Sequence, residues 1–130
     1  MKKVIQSLCC LFLLTISVSH AQSSSDTDGM SIDKQLVFVL KSSNINEIQS
    51  TYTVDISSLQ FKSSAHLDDL CEAFSFDFHQ LKGDFASKKI VVTLKKQSLI
   101  DRKFTVALVN EHFSSMSGRM KYVYNQFNED

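Results

Sequence analysis

The chain has 130 residues, 14 basic and 14 acidic side chains, three glycines, three cysteines and no proline. That length allows one domain with a core of its own. Near-neutral charge without a basic run excludes the electrostatic footprint of a nucleic-acid binder, because phosphate affinity rests on clustered Lys and Arg.

Met1-Lys2-Lys3 is a short basic start, Val4 to Val18 is mostly apolar, and Ser19-His20-Ala21 puts small residues third and first before Gln22. A signal peptidase reads these three parts, so residues 1–21 are expected to be a signal peptide cut near Ala21–Gln22. A membrane anchor would need about 20 apolar residues, and this run is shorter and interrupted by Gln6 and Ser7. Cys9 and Cys10 do not make a lipobox, since Gln6 or Ser7 stands where an aliphatic residue is needed and Leu8 intervenes. The expected location is therefore secreted or periplasmic, in a bacterial setting, with no membrane span in the mature chain. Cleavage would remove 21 residues, two lysines and no acids, leaving 109 residues with a net charge of −2. Of the cysteines only Cys71 would remain. The fold must then stand without an internal disulfide, although export leads to a space where disulfides form.

Residues 22–30 are expected to be a disordered leader, polar and without periodicity over Gln22 to Gly29, and residues 31–130 a single domain. Scarce glycine and absent proline predict few sharp breaks in it. Leu36-Val37-Phe38-Val39-Leu40 reads as a buried strand near 35–41, with a helix starting near Ser31 as the competing reading of so short a run. Tyr52, Val54 and Ile56 alternate with Thr53, Asp55 and Ser57, which predicts a strand near 51–57 with one buried face. Ser63 or Ser64 can cap a helix near 64–75, where Leu67, Leu70, Cys71 and Phe74 share a face. A buried, inert thiol is the reading for Cys71 on that face.

Phe76, Phe78, Leu81 and Phe85 alternate imperfectly, Ala86 to Lys89 is polar, and Ile90, Val92 and Leu94 alternate again. This predicts a hairpin of strands near 77–86 and 89–96, with Gly83 a bulge or a point of close packing. Val106, Val109, Phe113, Met116, Met120, Val123 and Phe127 then form an apolar stripe on a long helix near 105–127, capped by Thr105. The stripe spans only about three heptads, which favours packing on the sheet over a coiled-coil seam.

From Thr53 to Leu94 the chain resembles the heavy-metal-associated domain of copper chaperones and metal-pumping ATPases. The resemblance rests on Val54-Asp55-Ile56, on the helix from Leu67 to Phe74, and on the hairpin from Gly83 to Leu94. It implies a ferredoxin-like βαββ core. That family binds Cu(I) or a similar soft ion through two cysteines in the loop between first strand and helix. Here that loop, Ser57 to Ser64, holds neither cysteine nor histidine, so the family's ligands do not carry over.

The fold class expected is thus α+β: a ferredoxin-like βαββ core with an additional N-terminal strand and a long C-terminal helix packed on the sheet. The 35–41 strand is expected to take the sheet edge that the family's last strand would occupy. Among candidate sites, His112, Met116 and Met120 recur every four residues and would suit a soft metal, against the reading of both methionines as core filler. His66 and Asp69 read as a solvated face, and His79 as a lone histidine beside Asp77. Tyr122, Tyr124 and Phe127 form a possible contact surface. No nucleophile elbow or phosphate loop is present, so an enzyme is not expected, nor a cofactor. Two functional readings remain. One is an exported, non-enzymatic binding or structural domain contacting another envelope or extracellular protein through an open sheet edge or the long helix. The other is a periplasmic copper-handling protein using His112, Met116 and Met120.

Overall fold

The computed structural model describes residues 29–129. The expected signal peptide and nearly all of the expected leader lie outside the described residues. Met30, placed in that leader by its sequence, is instead buried in a strand.

The described residues form two small antiparallel sheets and three α-helices. Strands β1 (Met30–Ile32) and β2 (Phe38–Leu40) pair with each other. A short 3-10 turn at Ile45–Glu47 leads to β3 (Thr51–Asp55). Helix α1 (Ser64–Ala73), β4 (His79–Asp84), β5 (Lys89–Leu94), α2 (Lys96–Asp101) and α3 (Val106–Glu129) follow. The second sheet has the order β3-β5-β4. Strand, helix and hairpin in this order are consistent with a ferredoxin-like α+β arrangement.

The alternation read from sequence sets the inner face of this sheet. Val54 pairs with Ile90, which pairs with Gly83; Tyr52 pairs with Val92, which pairs with Leu81; Leu94 pairs with His79. All of these except Gly83 are buried. The opposite face carries Thr51, Thr53, Asp55, Lys89, Thr93, Gln80, Lys82 and Asp84 toward water. Gly83 is a point of close packing, not a bulge, since its pairing with Ile90 is in register. A Cβ there would lie 2.4 Å from Leu67 Cγ, so only glycine lets α1 settle this close to β4.

The strand expected over 35–41 is confined to Phe38–Leu40, after a turn with left-handed backbone at Leu36, and it does not complete the sheet. One edge of β2 is taken by β1. On the other, Leu40 N donates to Asn110 Oδ1 (2.7 Å) and Asn110 Nδ2 donates to Leu40 O (3.1 Å). The asparagine amide on α3 replaces the peptide group of a neighbouring strand, and the second sheet therefore has three strands.

Ser63 caps α1, accepting from His66 N, and Thr105 caps α3, accepting from Leu108 N. The stripe on α3 turns into the chain's own core. Val109, Phe113, Met116 and Met120 are fully covered, and Phe113 meets Phe38 and Phe78 at ring separations of 5.6 and 6.2 Å. The helix lies against β2 and α1.

Sharp breaks are made without glycine. Leu36, Asp77, Lys88 and Lys103 all adopt left-handed backbone (φ 61°, 55°, 56° and 57°). Lys103 ends α2 in a Schellman motif, with Lys103 N bonded to Ile100 O and Phe104 N to Leu99 O. A Cβ in this conformation costs energy that glycine avoids. Lys103→Gly should stabilise the protein by about 0.5–1 kcal/mol, read as a rise in the urea midpoint. An unchanged or lower midpoint would show that the lysine carries an interaction of its own.

Candidate functional site

Asp77 sets the geometry at the start of β4. Its left-handed backbone turns the chain so that Phe76 O accepts from His79 N, and this turn breaks the strand alternation. Phe78 and His79 are consequently both buried, although they are adjacent. Arg102 clamps the turn from the end of α2, donating from Nη1 to Asp77 Oδ1 at 2.8 Å while its guanidinium lies 4.7 Å from the centre of the Phe104 ring. That hydrogen bond holds the Asp77 carboxyl below the usual carboxylate range.

His79 does not stand alone, as its sequence context suggests. Its ring centre is 5.2 Å from that of His112 on α3, and Phe76, Phe78 and Phe113 surround the pair. His79 Nε2 lies 2.8 Å from Phe74 O. A carbonyl oxygen only accepts, so Nε2 carries the ring proton and Nδ1 is left with its lone pair. That Nδ1 is buried without a hydrogen-bond partner, and so is Nε2 of His112. Burial lowers the pKa of both rings from the ordinary value of 6.5, most plainly for the fully covered His79.

As pH falls, the unfolded chain therefore takes up protons on these positions before the folded one does. Stability should be complete above about pH 6.5 and decline below it, with a slope of up to about 1.4 kcal/mol per pH unit for each proton concerned. Urea unfolding at pH 7.5 and 5.5 checks this. Equal stability at both values would mean that the buried rings accept protons without cost.

The other candidates scatter. Met116 and Met120 lie in the core with no exposed surface, whereas His112 faces the aromatic cluster. His66 is not on a solvated face: its ring stacks on Phe127 at 4.8 Å with an interplanar angle of 5°. Cys71 is buried, and burial, with Asp68 adding to it, pushes its thiol up to about 12. In that state it is neither nucleophile nor ligand. The Ser57–Ser64 loop borders a concavity of about 620 Å³ with Phe85, Lys88 and Asn128. There Tyr124 accepts from Gln60 N through its hydroxyl and meets Phe61 edge-on. Among the described residues, no group of three or more His, Cys, Asp or Glu side chains gathers to hold a metal ion. No helix among them is long and apolar enough to cross a membrane.

Of the three C-terminal aromatics, Tyr124 and Phe127 are tied down and Tyr122 is 67% exposed. Beside Tyr122 a groove of about 450 Å³ runs between the end of α1 and α3, lined by Ala73, Phe74, Phe76, Gly118, Arg119 and Val123. Phe76, itself 39% exposed, separates this groove from His79 and His112.

Sequence reasoning did not unite His79 with His112, because their contact spans strand and helix. The broken alternation at Phe76–His79 was the available signal. Comparison of the chain with protein-family models, with curated proteins and with solved structures returns no match.

Proposed function

We propose that the chain is an exported, non-enzymatic binding domain that takes an apolar side chain of another envelope or extracellular protein into the groove between α1 and α3. The observation that carries this is the groove itself, where Phe76 and Tyr122 present aromatic surface around the side-chain-free position Gly118. Aromatic residues with an arginine at the rim are the composition of a recognition surface. Arg119 borders the groove, so the partner segment is an apolar anchor flanked by a carboxylate.

The sheet edge is the weaker route. On β4, Ser75 Oγ already accepts from Leu81 N (2.7 Å) while its own proton goes to Cys71 O (2.6 Å), occupying a backbone group that strand addition would need. The resemblance to heavy-metal-associated domains supports descent from such a fold and supplies no ligand in the Ser57–Ser64 loop.

Gly118→Leu tests the reading. Nothing lies within 4 Å of a Cβ at this position, so the new side chain fills the groove without disturbing the core. Peptides selected from a displayed library against the wild-type chain should bind with an apolar residue next to Asp or Glu. Their affinity should fall at least tenfold in the variant, while the helix gains up to about 1 kcal/mol. Selected peptides that bind both proteins equally would place recognition elsewhere.

A further inference from the structure

We infer that the His79–His112 pair makes the groove between α1 and α3, taken as the binding site proposed above, acid-sensitive, so that a partner held near neutral pH is released in mildly acidic surroundings. Phe76 joins the two places. It lines the groove, and its ring also meets both imidazoles, at 5.0 Å from His79 and 5.5 Å from His112. His79 Nε2 spends its proton on Phe74 O, so a second proton must go to Nδ1, which is buried without a partner. His112 Nε2 is buried in the same way. Charge on either ring faces the aromatic side chains of Phe76, Phe78 and Phe113. Charge on both brings two cations together on rings centred 5.2 Å apart.

The groups around the pair do not remove this penalty. Asp77 is the carboxylate acting on both rings, and Arg102, from the end of α2, holds it at 2.8 Å. Arg119, on α3, adds positive charge beside His112. The end of α1 contributes Phe74 O, already engaged, and β5 contributes the apolar Leu94 opposite His79. Relief lies in the turn that carries Phe76 and Asp77. Phe76 is 39% exposed, and the left-handed backbone of Asp77 is held by an ion pair that is itself half open to water. Swinging this turn outward brings water to the imidazoles and takes Phe76 out of the groove wall. A hydrated imidazole takes up its proton below about pH 6.5, so falling pH favours the open turn. A partner that packs on Phe76 in the closed turn then binds more weakly, by up to about tenfold per pH unit for each proton taken up.

Peptides selected on the wild-type chain at pH 7.5, and shown to lose affinity in Gly118→Leu, are the probe. Their affinity for the wild type should fall at least fivefold between pH 7.5 and 5.5. In the double variant His79→Gln/His112→Phe, which keeps an amide donor for Phe74 O and a ring beside Phe78, the fall should be less than twofold. A second readout needs neither variant nor peptide. The His79 amide, bonded to Phe76 O at 3.2 Å, should lose at least tenfold more hydrogen-exchange protection at pH 5.5 than the amides of the central strand β5, after allowance for intrinsic rates. Peptide affinity independent of pH overturns the switch while leaving the groove as a binding site. An equal fall in the double variant does the same, as does a His79 amide that loosens only in step with β5. Failure to select any peptide sensitive to Gly118→Leu would sink the groove as a binding site and this release with it, even where exchange at His79 shows the turn opening.

Discussion

Asn110→Ala should lower the stability of the protein by about 2–3 kcal/mol, although the residue is neither apolar nor fully buried. Its amide answers both backbone groups of Leu40, at 2.7 and 3.1 Å, across 70 residues of sequence. Leu40 itself is 2% exposed, so neither group regains water when the amide is removed. A hydrogen bond left half-made in a buried place costs the desolvation of the abandoned partner, and here two partners are abandoned together. For a domain of this size the loss corresponds to a fall of roughly 10–20 °C in Tm. Asn110→Asp separates the two bonds: its carboxylate still accepts from Leu40 N but meets Leu40 O as a repelling neighbour. Both variants should be destabilised, with hydrogen exchange at the Leu40 amide accelerated in the alanine variant. An exchange rate as slow as in the wild type would show that β2 is held by β1 alone.

Gly83→Ala, the smallest substitution that adds a side chain, should cost about 1–3 kcal/mol by overpacking. The new methyl would lie 2.4 Å from Leu67 Cγ and 2.7 Å from Cδ2, and Leu67 is fully buried, with no free space to retreat into. Relief requires α1 to lift from β4, which loosens Leu70 and Cys71 behind it on the same buried face. The double variant Gly83→Ala/Leu67→Ala identifies the cause. Leu67→Ala alone opens a cavity, a loss of about 2–5 kcal/mol, and the methyl at position 83 partly fills it. The two substitutions together should therefore cost less than their sum, a coupling measurable in a double-mutant cycle. Strict additivity would mean that Gly83 matters for the backbone of β4 and not for its contact with α1.

How much of this was legible in the chain depends on the range of the signal. Tyr52 and Val54, then Ile90, Val92 and Leu94, alternate within single strands, and the seven-residue stripe of α3 repeats over six turns. Local periodicity of that kind survives folding because one face meets one core. Strand β1 was not read, since Met30-Ser31-Ile32 is too short to show a period. Helix α2 was missed for a similar reason: its six residues bury only Leu99. The turn at Lys103 was hidden because a lysine occupies a position where glycine is the usual marker.

The candidate site was less legible than the fold. Met116 and Met120 share the spacing of His112 on the helix, and that spacing grouped them, but the core claimed the methionines. The contact that matters for His112 is with His79, on another element, and no period within one segment can announce it. The placement of the 35–41 strand failed on the same ground. Its apolar run reported burial correctly and said nothing about which neighbour would satisfy its edge. Asn110, a polar residue on an otherwise ordinary helix turn, decided that.

Side chains therefore terminate hydrogen bonding at two strand edges, Asn110 at β2 and Ser75 at β4. An unpaired edge is a template on which another chain can assemble, and proteins commonly guard it with charges, bulges or proline. This chain has no proline, and both guards are uncharged groups fixed to helical structure or its terminus. Protection against strand-to-strand self-assembly is thus tied to the docking of α1 and α3. A lesion that frees either helix would do more than soften the core: it would unmask backbone on which copies of the chain could stack.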